Sequence, residues 1–215
     1  MLEVARYEAE KRLRGAGVLS AGIAALTALY LWMWPRIAAS GVDFEEYIDA
    51  FPPALRELFG IESLSTIEGF LATELYSFVW VLLLGLYLAY AAASVVAGPV
   101  ADGRMDLLLS LPVTRSRLVA ESAASLLVPI IAINVTTPLV VAVGVAAVGE
   151  SMSLADLAAV HLLSVPYLLA CAAIGLLASV AAQRETVAQR AAAGTVFALF
   201  LVESIVTNTS LSWLR

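Results

Sequence analysis

The stretch that decides the fold reads LYSFVWVLLLGLYLAYAAASVVA over residues 75–97 and continues as GPVADGRMDLLLSLPVTRSR over residues 98–117. The first part has no charged side chain and is long enough to cross a bilayer, which takes about 20 apolar residues in a helix. The second part is polar and contains Gly98, Pro99 and Pro112, which disfavour a continuous helix. This pattern predicts a membrane-spanning helix followed by a polar connection.

The composition of the whole chain is that of an integral membrane protein. Hydrophobic residues make up 61% of its 215 residues and charged residues 14%, whereas globular domains are close to half apolar and one-quarter charged. We therefore expect an all-α, polytopic helical membrane protein of the cell membrane, with one transmembrane domain over residues 1–215. Its surroundings are the lipid bilayer, and no nucleic-acid partner is expected.

Five apolar stretches are predicted as transmembrane helices, and the fifth of them is short. They cover residues 15–35, 75–97, 118–148, 157–182 and 191–206. The third stretch has room to tilt, or to break at Pro129 or Pro138, because proline cannot donate a backbone hydrogen bond. A hinge at a proline and simple tolerance of proline are both open, since membrane helices accept this residue.

Basic residues near the ends of the predicted spans indicate the orientation, because Lys and Arg resist translocation. Nine of them fall on one predicted side: Arg6, Lys11, Arg12, Arg14, Arg104, Arg115, Arg117, Arg184 and Arg190. That side is predicted to be cytoplasmic, so the amino terminus lies inside, and five spans place the carboxyl terminus outside. The segment 37–74 is rich in Asp and Glu and is predicted to be extracytoplasmic. We interpret its acids as a solvated surface, with cation or substrate binding as the alternative.

Residues 1–14 have the pattern of an amphipathic helix. Leu2, Ala5, Ala9 and Leu13 recur at helical spacing, and charged side chains occupy most of the positions between them. The pattern predicts a helix lying on the inner membrane surface. An anchor that holds the first span by its positive charge explains the same residues, and the two interpretations are compatible.

The polar connection, residues 98–117, is predicted to begin with a helix end and a turn. Gly98 and Pro99 are expected to end the preceding span, because proline lacks an amide hydrogen and restricts the residue before it. Asp102 and Gly103 are then expected to form the turn.

A short helix is predicted to follow that turn. Residues 104–111 can form about two helical turns with a mainly apolar face, and Pro112 is expected to stop them. Thr114 is the candidate amino-terminal cap of the next span, because its hydroxyl can accept a hydrogen bond from a free backbone amide. The result is a short helix held between two spans, parallel to the membrane.

The segment DGRMDLLLSLPVTRSRL, residues 102–118, resembles the connection after the second span in ABC transporter permeases of the type-2 exporter superfamily. In those permeases a Leu-rich run ends in Ser-x-Pro-Val-Ser/Thr-Arg. FPPALRELFG at 51–60 and IEGFL at 67–71 are similar to the outer segment of one branch of the superfamily. The resemblance implies six spans, one more than predicted here. It also implies a Glu before the short helix, where this chain has Val100 and Ala101.

The resemblance further implies that the connection is a coupling loop whose helix docks on a separate ATPase subunit. The residues expected to make that contact are Asp102, Gly103, Arg104, Leu107, Leu108, Leu109, Ser110, Pro112 and Arg115. The chain contains no Gly-x-x-x-x-Gly-Lys-Ser/Thr phosphate loop. We therefore expect no cofactor, metal or catalytic residue here: ATP-Mg binds to the ABC ATPase, whose hydrolysis drives export. The resemblance also implies a dimer with a second permease copy or a homologous permease.

Two functions from other classes remain alternatives. A non-transporting membrane scaffold or assembly factor could use the same loop to recruit a soluble partner. An intramembrane hydrolase is less favoured, because His161 is the only histidine and no spacing supplies partners for a zinc site or a Ser-His pair.

Three single residues carry separate expectations. Cys171 is predicted to pack in the core, and His161 to be an interfacial side chain. Glu203, in the fifth apolar stretch, is a candidate gate or cation site, because acidic groups inside a membrane are often functional. It lies near the outer end of that stretch and could also reach water.

Overall fold

The computed structural model of the protein describes residues 3–40, 66–110, 114–182 and 184–208. Every regular element within those ranges is a helix, which confirms the predicted all-α class. We number the helices in chain order. They are α1 Glu3–Ala38, α2 Ile67–Ala101, α3 Met105–Leu109, α4 Arg115–Ala147, α5 Leu154–Ala181 and α6 Glu185–Asn208.

Four of the described helices, α1, α2, α4 and α5, are long and apolar enough to cross a membrane. They correspond to the first four predicted spans and make the chain a multi-pass helical membrane protein. The predicted fifth span, residues 191–206, lies in α6 but is not among them, so the count of five is wrong for the described part of the chain. The first turns of α6 are polar, with Glu185, Gln189 and Arg190, so its apolar part is shorter than those of the other four.

Helix α1 runs without a break from the charged amino-terminal region into the first span. The sequence predicts a separate interfacial helix over residues 1–14. The described part of that segment instead forms the first turns of α1. Those residues are mostly good helix formers, and the first proline of the chain, Pro35, comes only near the end of α1. Arg6 and Glu10 add an exposed ion pair of 3.0 Å across one helical turn.

Helix α2 begins earlier than predicted. Thr66 caps it by accepting a hydrogen bond from the Gly69 amide at 3.1 Å, and the first helical residue is Ile67. The last residues of the predicted outer segment, 67–74, therefore form the first turns of this helix. Residues 41–65 of the segment lie outside the described residues.

Helix α2 also ends later than predicted, because it continues through Gly98 and Pro99 to Ala101. The Ser179 hydroxyl of α5 accepts hydrogen bonds from the Val96 and Ala97 amides, each at 3.0 Å. These bonds fix α2 against α5 just before the proline. Tertiary contacts thus preserve a helix that the local sequence disfavours.

Part of α2, Ala72–Leu84, is wound as a wider π-helix. Two side-chain hydroxyl groups donate hydrogen bonds to backbone carbonyls of this segment. The Ser77 hydroxyl donates to the Ala72 carbonyl at 2.9 Å, and the Tyr167 hydroxyl of α5 donates to the Val81 carbonyl at 2.6 Å. This part of α2 is therefore held to α5 by a hydrogen bond as well as by packing.

Helix α4 is interrupted between Ala124 and Leu127. Pro129 lies four residues after Ser125, so the Ser125 carbonyl lacks the amide that would normally bond to it in a helix. The chain closes this turn more tightly, with the Val128 amide donating to the Ser125 carbonyl at 3.2 Å. The break predicted near Pro129 is confirmed, whereas the helix continues through Pro138.

The helices pack as two groups. Helices α2, α5 and α6 form one group, and α1 packs mainly on α4 in the other. Each group has a glycine at a close approach: a Cβ on Gly175 of α5 would collide with the Ala89 carbonyl of α2, and one on Gly144 of α4 with Leu31 of α1. Small residues permit such approaches between membrane helices. Cys171 is buried in the first group, which confirms its predicted place in the core.

Candidate functional site

The connection between α2 and α4 starts with a tight turn. Gly103 has φ +68°, a left-handed conformation that glycine adopts without steric cost. Its neighbours form an ion pair, with Arg104 Nη2 donating to Asp102 Oδ2 at 2.7 Å. This hydrogen bond raises the pKa of the Arg104 guanidinium above its ordinary value. The predicted Asp102-Gly103 turn is confirmed.

Helix α3, Met105–Leu109, follows at once and is shorter than the predicted helix over 104–111. The Leu108 amide donates to the Arg104 carbonyl at 3.1 Å, and the Ser110 amide donates to the Asp106 carbonyl at 3.1 Å. Leu108 and Leu109 are half-buried and Ser110 is exposed. Leu107 lies in α3, but its side chain is outside the described part of the structure. Pro112 as a whole lies outside the described residues.

The start of α4 is capped as predicted. The Thr114 hydroxyl accepts a hydrogen bond from the Arg117 amide at 3.3 Å. The guanidinium of Arg117 in turn donates from Nε to Glu121 Oε1 at 2.6 Å, one helical turn further on. Arg115 lies beside the cap and is exposed.

The end of α2 that leads into α3 is held by the turn between α5 and α6. The Glu185 carboxylate lies close to Gly98, where an added Cβ would be 3.5 Å from Oε1. Gln189 Nε2 donates to Glu185 Oε1 at 3.1 Å and to the Ser94 hydroxyl at 2.9 Å. The start of α3 is therefore attached to the α2, α5 and α6 group.

A large cavity, here called the α3 cavity, lies beside this connection. Its volume is about 1210 Å³, and its walls come mainly from α1, α2, α3 and α4, with Val180 of α5 and Glu185 of α6. Five of the predicted contact residues line it: Asp102, Arg104, Leu108, Leu109 and Arg115. Gly103 and Ser110 are close to it in the chain but are not part of the wall.

The amino-terminal turns of α1 form the opposite wall of the α3 cavity, through Tyr7, Glu8, Lys11 and Arg12. Arg12 Nε donates to the Ser125 hydroxyl of α4 at 2.7 Å, at the interruption of that helix. The sequence interpretation assigned no site role to these residues. No local pattern could reveal the Arg12 contact, because the two partners are 113 residues apart.

Glu203 is not brought together with this site. It lies on α6, 18 residues after Glu185 in the chain, which corresponds to about 27 Å along a helix. Its side chain is exposed in the isolated chain, and it does not line the α3 cavity.

A buried polar cluster joins α2, α4 and α5 at the other end of the molecule. His161 is buried, so its assignment as an interfacial side chain is wrong. Its Nδ1 lies 3.2 Å from Asn134 Oδ1, and its Nε2 lies 3.1 Å from the Tyr76 hydroxyl. Because the carbonyl oxygen of Asn134 can only accept, Nδ1 carries the proton and Nε2 accepts from Tyr76. Trp80 packs edge-on against the same ring at 4.8 Å.

The geometry of this cluster does not form a Ser-His pair. The Ser164 hydroxyl lies 2.8 Å from Asn134 Oδ1 and 2.8 Å from the His161 carbonyl, and neither contact is with an imidazole nitrogen. Among the residues that the structure describes, no group of three or more His, Cys, Asp or Glu side chains could hold a metal ion. The cluster is therefore a hydrogen-bonded link between helices.

These features define a multi-pass helical membrane protein with a short helix between two of its spans. Comparison with protein-family models matches residues 4–212 to the ABC-2 family transporter protein. The chain therefore belongs to the ABC-2 transporter family, as its resemblance to type-2 exporter permeases predicts, and permeases of this family are transmembrane components that are not themselves catalytic. Comparisons with curated proteins and with solved structures gave no match.

Proposed function

We propose that the protein is the membrane-spanning permease subunit of an ATP-driven ABC exporter. In this proposal the connection over residues 98–117 docks on a separate ABC ATPase, which binds and hydrolyses ATP-Mg. Movement of that ATPase shifts the spans and exports a substrate across the cell membrane. Family membership supports the permease role, and the coupling and the direction of transport are the parts proposed here.

The ordered turn that joins α3 to α2 is the observation that carries the coupling role. Gly103 and the Asp102–Arg104 ion pair form that turn, and the Leu108 amide donates to the Arg104 carbonyl at the start of α3. In this proposal a force on α3 reaches α2 through the turn. The next span, α4, begins at the Thr114 cap, five residues after Leu109.

The orientation of the chain is proposed from the same end of the molecule. The α3 cavity brings the first turns of α1 next to the connection after α2, and Glu185 places the turn between α5 and α6 beside Gly98. These three segments hold the nine basic residues that predict the cytoplasmic side. Their clustering at one end supports an amino terminus in the cytoplasm, where the ATPase would bind.

Two further parts of the proposal concern partners and a possible gate. A second permease copy or a homologous permease would complete the exporter as a dimer, as the family resemblance implies. Glu203 is proposed as a gate or cation site on α6, and its exposure in the isolated chain leaves it accessible to a partner subunit or to solvent.

The docking role is tested by changing α3 and the start of α4. We expect Leu108→Asp or Arg115→Glu to reduce association with the ATPase that co-purifies with the wild-type chain, about tenfold or more. The reason is that Leu108→Asp places a charge in the proposed contact and Arg115→Glu reverses a charge there. Association is measured by pull-down in detergent, and ATP hydrolysis by the complex is measured in parallel.

Matched controls come from exposed residues of α1 on the same side of the molecule. Leu13→Asp and Arg14→Glu introduce the same chemical changes outside the connection, and both complexes are expected to behave as wild type. Unchanged association and hydrolysis in the α3 and α4 variants would contradict the docking role. An ATPase that binds through α3 but whose hydrolysis never responds to the permease would instead indicate a scaffold.

A further inference from the structure

Charged and apolar side chains both line the α3 cavity along its length. Asp102, Arg104 and Arg115 lie at the end where α2 leads into α3 and α4 begins. Arg12 lies further in, beside Ser125 of α4, which is about 15 Å along that helix from Arg115. Tyr87 lines the cavity about 20 Å before the end of α2. The length of the cavity is therefore comparable with the thickness of one leaflet of hydrocarbon, about 15 Å.

Part of this cavity has an exposed aromatic wall. Tyr90 is 50% exposed and Tyr87 is 38% exposed, and the largely buried Val95, Leu118 and Pro129 also line the cavity. Tyrosines are common where a protein meets the boundary between lipid headgroups and acyl chains. Such a wall suits a hydrocarbon chain and offers little to a small soluble ion.

The charged side chains that line the cavity leave an excess of one positive charge. Asp102 is bonded to Arg104 and Glu121 to Arg117. Three further lining cations, Lys11, Arg12 and Arg115, have no acid within hydrogen-bond distance among the described residues. Two lining acids remain: Glu8, which lies near Arg12, and Glu185, which accepts from the neutral amide of Gln189.

Arg12 is held in place independently of any ligand. Its Nε donates to the Ser125 hydroxyl at 2.7 Å, and that hydroxyl donates to the Ser122 carbonyl at 2.6 Å. The interruption of α4 therefore orients the guanidinium, and its two terminal nitrogens make no hydrogen bond to the residues that the structure describes. Guanidinium groups with free paired donors bind phosphate oxygens well.

We propose that the α3 cavity binds one anionic phospholipid from the leaflet next to α3. Its phosphate contacts Arg12 and Lys11, Arg115 adds positive charge nearer the start of α4, and an acyl chain lies along the wall formed by Tyr87 and Tyr90. This inference goes beyond the exporter proposal and requires no ATPase. A bound lipid would fill the gap between the two helix groups at this end of the molecule.

The test measures lipid binding to the full chain in a neutral detergent by native mass spectrometry. Phosphatidylglycerol is expected to bind more tightly than phosphatidylcholine. Arg12→Gln is expected to weaken phosphatidylglycerol binding about fivefold, since one basic residue near an anionic lipid has about that effect. Arg14→Gln is the matched control, because Arg14 lies on the same helix and does not line the cavity. It is expected to change binding less than twofold.

Several results would overturn the proposal. Equal weakening by Arg12→Gln and Arg14→Gln would show general attraction of lipid to α1. Equal binding of phosphatidylglycerol and phosphatidylcholine would show that the cavity does not select an anionic lipid. Displacement of the lipid by millimolar inorganic phosphate would make a soluble anion the ligand. If Arg12→Gln does not fold because its bond to Ser125 is lost, Lys11→Gln and Arg115→Gln test the same site through exposed side chains.

Discussion

Gly175 determines how closely α5 approaches α2. A side chain there would collide with the Ala89 carbonyl and would also crowd the Ala92 methyl group. The neighbouring turn places Ser179 where its hydroxyl can accept from two amides of α2. One missing methyl group therefore allows both the close packing and the hydrogen bonds that hold the end of α2.

Gly175→Ala should lower the free energy of unfolding by about 1–3 kcal/mol, because the added methyl group overpacks the interface with α2. Gly22→Ala is the matched control, since nothing lies within 4 Å of an added Cβ at Gly22. That change should be neutral or stabilising, as alanine favours a helix more than glycine does. Thermal unfolding in detergent measures both variants, and equal effects at the two sites would argue against the close approach.

Local chemistry explains which details of this kind a sequence can predict. The Thr114 cap, the Asp102-Gly103 turn and the break near Pro129 each depend on residues within four positions, and each was predictable. The contact between Arg12 and Ser125 depends on packing between distant segments, so no local sequence pattern predicts it.

Helix α3 depends on the conformation of the turn before it. Gly103 has a positive φ that a β-branched residue adopts only with strain. The hydrogen bonds that follow, from the Arg104 amide to the Pro99 carbonyl and from the Leu108 amide to the Arg104 carbonyl, require that turn. The position of α3 relative to α2 is therefore sensitive to a single residue.

Gly103→Val should loosen the turn and increase amide hydrogen exchange over residues 102–110, because valine in this conformation costs about 1–2 kcal/mol. Gly103→Asn should exchange more slowly than Gly103→Val, since asparagine tolerates the left-handed conformation. Hydrogen exchange of the purified chain in detergent measures the effect. The interpretation fails if valine and asparagine give the same exchange as wild type.

The elements that the sequence predicts least well are those that tertiary contacts reshape. Pro99 is a sound local signal for a helix end, yet α2 passes through it because Ser179 and the rest of α5 hold the preceding turn. The short apolar stretch 191–206 indicates a span, yet the helix that contains it starts with polar residues that bond to α2. Hydropathy alone cannot distinguish these outcomes.

The two helix groups are joined by hydrogen bonds at one end of the molecule and enclose the α3 cavity at the other. The cluster around His161 links α5 and α2 to α4 through Asn134, whereas at the cavity end α2 meets α4 through the apolar contact of Ala92 and Val95 with Leu126. Buried polar links between membrane helices are specific because each donor needs its own acceptor. The cluster therefore fixes how the groups meet.

Asn134→Ala should destabilise the protein by about 1–2 kcal/mol, because it removes the acceptor used by His161 and Ser164 inside the packed helices. Thr136→Ala is the control, since the Thr136 hydroxyl bonds only within its own helix, to the Ala132 carbonyl at 2.8 Å. Thermal unfolding in detergent should separate the two variants. If Thr136→Ala lowers the stability as much as Asn134→Ala does, the hydrogen bonds between helices are not the cause of the loss.

Because α1 is a single unbroken helix, it can move as one rigid rod. Its 36 residues extend about 54 Å, and a hydrocarbon core of about 30 Å leaves about 20 Å of rod beyond the bilayer even at a tilt of 20°. A rotation of about 10° in the membrane would sweep the free tip through about 4 Å. Because Tyr7 and Glu8 sit near that tip, small angular changes among the spans would be magnified where the chain meets the aqueous phase.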